Sequence, residues 1–213
     1  MNLTRRKLLA STMALGLGTA LTTAFPLVAL AQTVDVAKLM EASPLGEKFI
    51  GKEDAPVTII EYASLTCGHC ANFHKGVLPE IKKQYIDTGK ARMIFREFPL
   101  DPVAAAGFML ARCAPEDKYF DVMDALFADQ RAWAFTNDPY NAMLNFSKQL
   151  GFTQESFEAC LTNQSLLDGV NAVRDKAGNE FKVDSTPTFF INGEKATGAL
   201  SFEEMSKIID KYL

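Results

Sequence analysis

The fold is decided by a short stretch of the chain, VTIIEYASLTCGHC at residues 57–70. Its first half is rich in β-branched and aromatic residues, which predicts a strand over residues 57–62. The strand leads directly into the sequence C-x-x-C, and this spacing suits two cysteines in the first turn of a following helix. A thiol there feels the helix dipole and unpaired backbone N–H groups, which favour the thiolate. The stretch therefore predicts a reactive cysteine pair that exchanges disulfides with other proteins.

The two cysteines are expected to have different roles. Cys67 is the predicted nucleophile because it lies at the helix start. Cys70, three residues later on the same helix face, can reach back to Cys67 to close a disulfide or to resolve a mixed one. His69 lies between them, where a partly positive imidazole stabilises the Cys67 thiolate. A stabilised reduced form makes the oxidised pair a better oxidant, whereas an exposed histidine without influence is the alternative.

The first 31 residues are predicted to be an export signal. The basic sequence TRRK at 4–7 precedes an apolar stretch at 8–30, and Ala29-Leu30-Ala31 has the small-x-small pattern of a cleavage site. The paired arginines are also typical of a twin-arginine signal, so both this route and the Sec route stay open. A retained membrane anchor is the alternative, although glycines and a proline weaken the stretch as a spanning helix.

Charge and cysteine content narrow the functional classes. The chain has 22 basic and 26 acidic residues, a formal net charge of −4, and cleavage of the basic leader would make it more negative. Such a surface disfavours nucleic acid and anionic membranes as partners. Export also implies an oxidising compartment, where the four cysteines can form two disulfides.

Residues 32–100 are predicted to begin with an irregular lead-in that contains a short edge strand near 48–50. After the strand that precedes the cysteines, a helix is expected over 72–86, kinked at Pro79, and a second strand over 91–98. A strand, a crossover helix and a strand of this length form a right-handed parallel βαβ unit.

The rest of the chain divides at residue 182. Residues 101–182 have helical periodicity and are too long for a loop, which predicts a helical insertion. The candidate helices are 103–113, 118–128, 140–150, 154–161 and 164–181. Residues 183–213 return to strand, with a hairpin of 188–191 and 195–197 around Asn-Gly, and they close with a helix over 202–213.

Three separated blocks of this sequence resemble the DsbA-like family of periplasmic thiol:disulfide oxidoreductases. The blocks are EYASLTCGHC at 61–70, FREFPL at 95–100 and STPTFFING at 185–193. The resemblance covers nearly all of 48–213 and implies an α/β fold. In that fold, a thioredoxin-like central mixed β-sheet with flanking helices is interrupted by an all-helical insertion. It also implies an enzyme that uses the Cys67–Cys70 disulfide as its redox centre and no separate cofactor.

The resemblance implies roles for three further residues. Pro187 stands where the family has a cis-proline beside the redox disulfide, which leaves the backbone of Thr186 to pair with an extended substrate. Without the resemblance, Pro187 could as well begin an edge strand. Glu61 stands where the family has a glutamate beneath the second cysteine, so it is expected to relay protons to or from Cys70. A glutamate facing water on an edge strand is the alternative.

By the same resemblance, the partners are reduced or unfolded exported proteins and a membrane protein that reoxidises the enzyme. The expected location is the periplasm, and the expected state is a monomer. The Gly-His dipeptide between the cysteines also occurs in protein disulfide isomerase, so isomerase or reductase activity stays open. Nucleic acid is not an expected partner.

The second cysteine pair, Cys113 and Cys160, lies in two different predicted helices of the insertion. A structural disulfide between them is expected, with two buried free thiols as the alternative. Many DsbA-like proteins lack such a pair, so the resemblance adds little to this expectation.

A metal site is the rival interpretation from another functional class. Cys67 and Cys70, with His69 or His74, have the side chains that zinc or copper binds. No second C-x-x-C or distant histidine completes a closed site, and export favours disulfides, so no metal is expected. His74, one helical turn beyond Cys70, is assigned a structural or surface role.

Overall fold

A computed structural model describes residues 34–213, and within them the strands form one mixed sheet. The predicted signal at 1–31 lies outside the described residues. The strand order is β1-β3-β2-β4-β5. The strands are β1 Lys48–Gly51, β2 Val57–Ala63, β3 Ala91–Glu97, β4 Thr188–Ile191 and β5 Glu194–Thr197. Strands β2 and β3 are parallel, as the βαβ unit predicts, and the other neighbours are antiparallel.

Strand β2 is the centre of the sheet, and both its faces are buried. Val57 and Ile59 pack into one hydrophobic cluster, whereas Ile60 and Tyr62 pack into another on the opposite face. This alternation follows from the two-residue period of a strand. It also explains why the segment is apolar almost throughout, since a strand covered on both sides has no solvent face.

The residues after β2 form an almost continuous helical run that contains two π-helical turns. Its parts are α2 Gly68–Asn72, a π segment Phe73–Val77, α3 Leu78–Ile81 and a second π segment Lys82–Ile86. Pro79 lies in the first turn of α3, directly after the first π segment, so its missing N–H falls where the hydrogen-bond pattern of the run changes. Gly89, with φ of 76°, follows the run and allows the chain to enter β3.

The segment between β3 and β4 is helical, which confirms the predicted insertion. Its helices are α4 Pro102–Cys113, α5 Tyr119–Ala128, α6 Gln130–Trp133, α7 Pro139–Gln149, α8 Gln154–Leu161 and α9 Gln164–Phe181. Side chains of Asp101, Asp138, Thr153 and Asn163 cap the starts of α4, α7, α8 and α9. The sequence analysis missed α6. The insertion and the cysteine helix share one hydrophobic cluster that includes Leu65, Cys70, Phe108 and Trp133. The domain boundaries at 100 and 182 stay a prediction.

Short elements complete the fold at both ends of the described chain. Strands β4 and β5 form the predicted hairpin, and Asn192 and Gly193 have positive φ in its turn. A capping box of Ser201 and Glu204 starts α10 (Phe202–Ile209), and a 3-10 turn follows at Asp210–Tyr212. A four-residue helix at Val36–Leu39, α1, was not predicted.

None of the helices within residues 34–213 is both long and apolar enough to span a membrane.

Two arginines with buried side chains connect the irregular lead-in segment to the sheet and to the insertion through hydrogen bonds. Arg96 of β3 donates to the carbonyl oxygens of Leu39 and Glu41. Arg112 of α4 donates to the carbonyl oxygen of Leu45 at 2.8 Å and pairs with the buried Glu97. Each guanidinium has several acceptors, which offsets the loss of its hydration.

Candidate active site

The two thiols of the C-x-x-C sequence differ in exposure because of where the helix begins. Cys67 is the extended N-cap residue of α2 and is half-buried. Cys70 is fully buried in the first turn, against the cluster shared with the insertion. Both are free thiols in this structure. Only Cys67 is therefore accessible to a disulfide of another protein.

The loop before β4 lies against Cys67. The thiol of Cys67 donates to the carbonyl oxygen of Thr186 at 3.3 Å, across 119 residues of sequence. The peptide bond between Thr186 and Pro187 is cis. The hydroxyl of Thr186 is buried and, with Cys67 in this thiol form, has no hydrogen-bond partner within the described part of the chain, so it is available to donate once the thiolate forms. The structure thus brings together Cys67, Thr186 and Pro187, three of the predicted site residues.

Hydrogen bonds lower the pKa of Cys67 to about 5, and the Cys70 thiol makes the largest contribution. Burial opposes this change, but the Thr186 side chain and the backbone N–H groups of Cys70 and His69 add to the lowering. Each of these groups donates to the charged form of sulfur, which is why the thiolate is favoured. Cys67 is therefore a thiolate at neutral pH.

The environment of Cys70 has the opposite effect. Burial raises the pKa of its thiol far above the ordinary value, and the hydrogen bond to Cys67 and the negative charge of Glu61 raise it further. The pair thus consists of one thiolate and one thiol held close together. This is the division of roles expected of a nucleophile and a resolving cysteine.

His69 contributes to the site through its backbone N–H, whereas Gln130 contributes through its side-chain amide. The His69 side chain is exposed, and it is the backbone N–H of His69 that is among the main groups lowering the pKa of Cys67. The amide of Gln130, in the unpredicted α6, donates to the carbonyl oxygens of Leu65 at 2.7 Å and Cys67 at 3.0 Å. Gln130 holds the loop before the cysteines, and no sequence pattern pointed to it.

The turn between β2 and α2 is also attached to the insertion. The hydroxyl of Thr66 donates to the carboxylate of Asp101 at 2.6 Å, and the hydroxyl oxygens of Ser64 and Thr66 lie 3.2 Å apart. The other carboxylate oxygen of Asp101 accepts from Ala104 N–H and caps α4. The residue before the nucleophile is therefore positioned by both parts of the fold.

Glu61 lies on the central strand β2 and is fully buried, so the edge-strand alternative is wrong. Its Oε2 atom is 2.9 Å from Nε2 of His74, whose side chain is 5% exposed. The surface role considered for His74 is therefore also wrong, because the imidazole is the buried partner of a buried carboxylate.

Cys113 and Cys160 form a disulfide that joins α4 and α8, with Cα atoms 6.1 Å apart. Both cysteines lie outside α2, and the crosslink belongs to the insertion. The alternative of two free thiols does not describe this structure.

The structure offers no support for the metal-binding interpretation. Within residues 34–213, no three or more His, Cys, Asp or Glu side chains are grouped as metal ligands. His74 already binds Glu61, and the His69 side chain is exposed, so neither joins the two thiols in a closed set.

The sheet, the C-x-x-C at a helix start and the cis-proline loop together define a thioredoxin-fold dithiol protein with a helical insertion. The profile of the family described as Thioredoxin matches residues 44–211. Alpha-DsbA1 from Wolbachia pipientis has 31% sequence identity and a TM-score of 0.75, with 82% of this chain and 94% of that chain covered. The chain belongs to the DsbA-like family of thioredoxin-fold proteins.

Curated relatives carry related names. A putative protein-disulfide oxidoreductase of Rickettsia felis is 31% identical over 165 residues, which is 77% of this chain and 59% of that protein. The chain thus spans about three fifths of the length of this relative. A probable disulfide bond formation protein D of Bacillus anthracis is 29% identical, with 78% of each chain covered.

Proposed function

We propose that this chain is an exported thiol:disulfide oxidoreductase that introduces disulfides into extracytoplasmic proteins. The observation that carries the proposal is the asymmetry of the thiol pair, in which Cys67 has a pKa of about 5 and Cys70 stays protonated and buried. Stabilisation of the reduced form by a thiolate makes the oxidised form a strong oxidant. The names of the relatives, which refer to disulfide formation, support the same reaction.

The reaction proceeds in two exchanges. A substrate thiolate attacks the sulfur of Cys67 in the Cys67–Cys70 disulfide, so a mixed disulfide forms and Cys70 leaves as a thiolate that takes up a proton. A second substrate thiolate then attacks the substrate sulfur of the mixed disulfide and releases Cys67 as a thiolate. Two electrons pass to the enzyme. Of the two protons that the substrate loses, one resides on Cys70 and the other enters solvent.

The neighbours of the pair have separate roles in this proposal. The Thr186-Pro187 backbone lies against Cys67 and binds the extended substrate segment that carries the target thiol. His69 supplies its N–H to the Cys67 thiolate. Glu61, whose charge acts on Cys70, exchanges the proton of that thiol. The Cys113–Cys160 disulfide stabilises the insertion and does not take part in exchange.

The proposal extends to the setting of the enzyme. Residues 1–31 direct export, by either route considered, and the mature chain acts in the periplasm as a monomer. Its partners are reduced exported proteins and a membrane protein that reoxidises the Cys67–Cys70 pair. The acidic charge of the chain supports the exclusion of nucleic acid as a partner.

The test is the equilibrium of the Cys67–Cys70 pair with glutathione, together with the oxidation of a reduced, unfolded model protein. An oxidase should be more oxidising than the glutathione couple, and one protein equivalent should form one substrate disulfide. Cys67→Ser should abolish exchange, and the double replacement of Cys113 and Cys160 by serine is the matched control that retains it. A pair more reducing than glutathione would favour the reductase alternative instead.

A further inference from the structure

His74 occupies an unusual environment for a histidine that contacts no substrate. It lies four residues after Cys70 on the same helical run, and its ring is stacked on Phe127 with centroids 4.1 Å apart. The rings of Phe73 and Phe95 are nearly perpendicular to it, with centroids 5.6 and 5.8 Å away. An aromatic enclosure of this kind removes water from the ring, so any charge on it requires nearby counter-charges.

Two carboxylates supply those counter-charges from opposite sides of the ring. Nε2 lies 2.9 Å from Oε2 of the buried Glu61, and Nδ1 lies 3.8 Å from Oδ1 of Asp124, too far for a direct hydrogen bond. The Asp124 side chain is 63% exposed. The ring therefore connects a fully buried carboxylate with one that solvent reaches.

A small cavity borders the Asp124 side of His74. It is lined by Ile50, His74, Leu78, Lys82, Phe120 and Asp124, among others. Lys82 is thus the cation that faces the same space. On the other side, the charge of Glu61 acts on Cys70 and on the buried phenol of Tyr119.

Glu61 has one oxygen available for a proton. Its Oε2 is bound to His74, whereas Oε1 is buried and has no hydrogen-bond partner in the part of the chain that the structure describes. A buried acceptor without a hydrogen-bond partner costs free energy. When a native protein retains one, a functional role such as transient binding of a proton can explain it. Cys70, the neighbouring thiol that must gain and lose a proton in each cycle, is the group that Oε1 can serve.

We propose that His74 is a positioning residue that holds Glu61 ionised for proton exchange with Cys70 and, with Asp124, connects this exchange to solvent. The inference rests on the proposed dithiol–disulfide reaction and deepens it. When Cys70 attacks a mixed disulfide at Cys67, its proton passes to Oε1 of Glu61. The displaced sulfur leaves as a thiolate with the electron pair of the broken bond. Once Glu61 is neutral, the imidazolium releases its Nδ1 proton toward Asp124 and solvent, so one proton leaves Cys70 and one enters solvent. When Cys70 next leaves a disulfide as a thiolate, Glu61 gives it the proton and His74 takes one up from solvent.

The charge state of His74 supports this arrangement. Burial disfavours the imidazolium, but the charges of Glu61 and Asp124 outweigh burial and raise the pKa of His74 to about 9. The ring is therefore protonated across the neutral range, and it sets a positive charge against the buried carboxylate of Glu61.

The test is the pH dependence of one isolated step. The mixed disulfide of Cys67 with glutathione is trapped at low pH and its resolution by Cys70 is followed after a jump to pH values on either side of neutrality. In the wild type, a base that stays ionised should make the rate nearly independent of pH around neutrality. His74→Gln should slow resolution at neutral pH by about tenfold or more, because general base catalysis is lost, and the rate should recover as the pH rises.

Two further variants separate proton transfer from simple support of the fold. His74→Lys restores a cation beside Glu61 and should recover much of the neutral rate. Glu97→Gln removes a different buried carboxylate and should retain the wild-type pH profile. A folded His74→Gln with the wild-type profile would overturn the proposal.

Asp124→Asn decides the matter if the His74 variants do not fold. Asp124 lies on the surface and is one of the two charges that keep the His74 ring protonated, so between neutrality and about pH 9 the variant should resolve the mixed disulfide more slowly than the wild type, as His74→Gln does. A rate equal to that of the wild type throughout this range would overturn the proposal. Because glutathione is the probe, failure of the wild type to oxidise proteins would reject only the proposed function.

Discussion

Replacement of Thr186 by valine is expected to raise the pKa of Cys67 while the surrounding backbone stays in place. The valine side chain has the shape of threonine but lacks the hydroxyl, which has no partner beside the thiol and donates to the sulfur of Cys67 once the thiolate forms. The carbonyl oxygen of Thr186, 3.3 Å from that sulfur, is unaffected. The substitution therefore removes one hydrogen bond to the thiolate and little else.

The size of the effect follows from that single bond. A hydrogen bond to a charged group contributes about 1.5–3 kcal/mol, and the half-buried position of Cys67 favours the lower end because water replaces part of it. At about 1.4 kcal/mol per pKa unit, the pKa of Cys67 should rise by roughly one unit from its value of about 5. The thiolate fraction at pH 5.5 should then fall from roughly three quarters to roughly one quarter.

The assay is the rate of alkylation of the reduced protein as a function of pH. Only Cys67 should react below neutrality, because Cys70 is buried and protonated. The potential of the pair should also become more reducing by about 30 mV. Thr186→Ser keeps the hydroxyl and should titrate as the wild type does. Equal midpoints for the wild type and a folded Thr186→Val would refute the reasoning.

Three other changes have expected outcomes. Serine at both Cys113 and Cys160 should lower the free energy of unfolding in urea by about 4 kcal/mol, the chain-entropy value for a separation of 47 residues, and a loss below about 1 kcal/mol would contradict it. Arg112→Met leaves Glu97 buried without its cation and should destabilise by about 3–5 kcal/mol in the same assay; equal stability would contradict it. His74 has a pKa raised from 6.5 to about 9, so it should contribute stability below pH 6.5 that is lost as the pH rises through 9. Over this range, the free energy of unfolding should therefore fall less steeply with pH in His74→Gln than in the wild type.

Helices whose signals are local could be predicted from the sequence. The predicted bounds of α8 and α9 agree with the structure, because each has helical periodicity and a capping residue at its start, Thr153 and Asn163. Helices α1 and α6 were missed, since four residues are too few to show a period of 3.6. A helix can therefore be predicted from the local sequence only when it is long enough for its apolar residues to repeat with the helical period.

The candidate site shows the same limit more clearly. The sequence by itself determined the redox pair, since the spacing of Cys67 and Cys70 after a strand is a local property. Gln130 could not be found in this way, because it reaches the cysteine loop from 63 residues away through an unpredicted helix. Thr186 entered the sequence analysis only through the family resemblance, although it lies against Cys67.

The charges around the pair were decided by tertiary structure alone. Strand order places β2 at the centre of the sheet, and this order buries Glu61, whereas the same sequence on an edge strand would leave the carboxylate in water. Packing of α5 against the cysteine helix then encloses His74 beside Glu61 and Asp124. The energy of a charge depends on what surrounds it in three dimensions, so sequence spacing determines which thiols meet and packing determines how each one ionises.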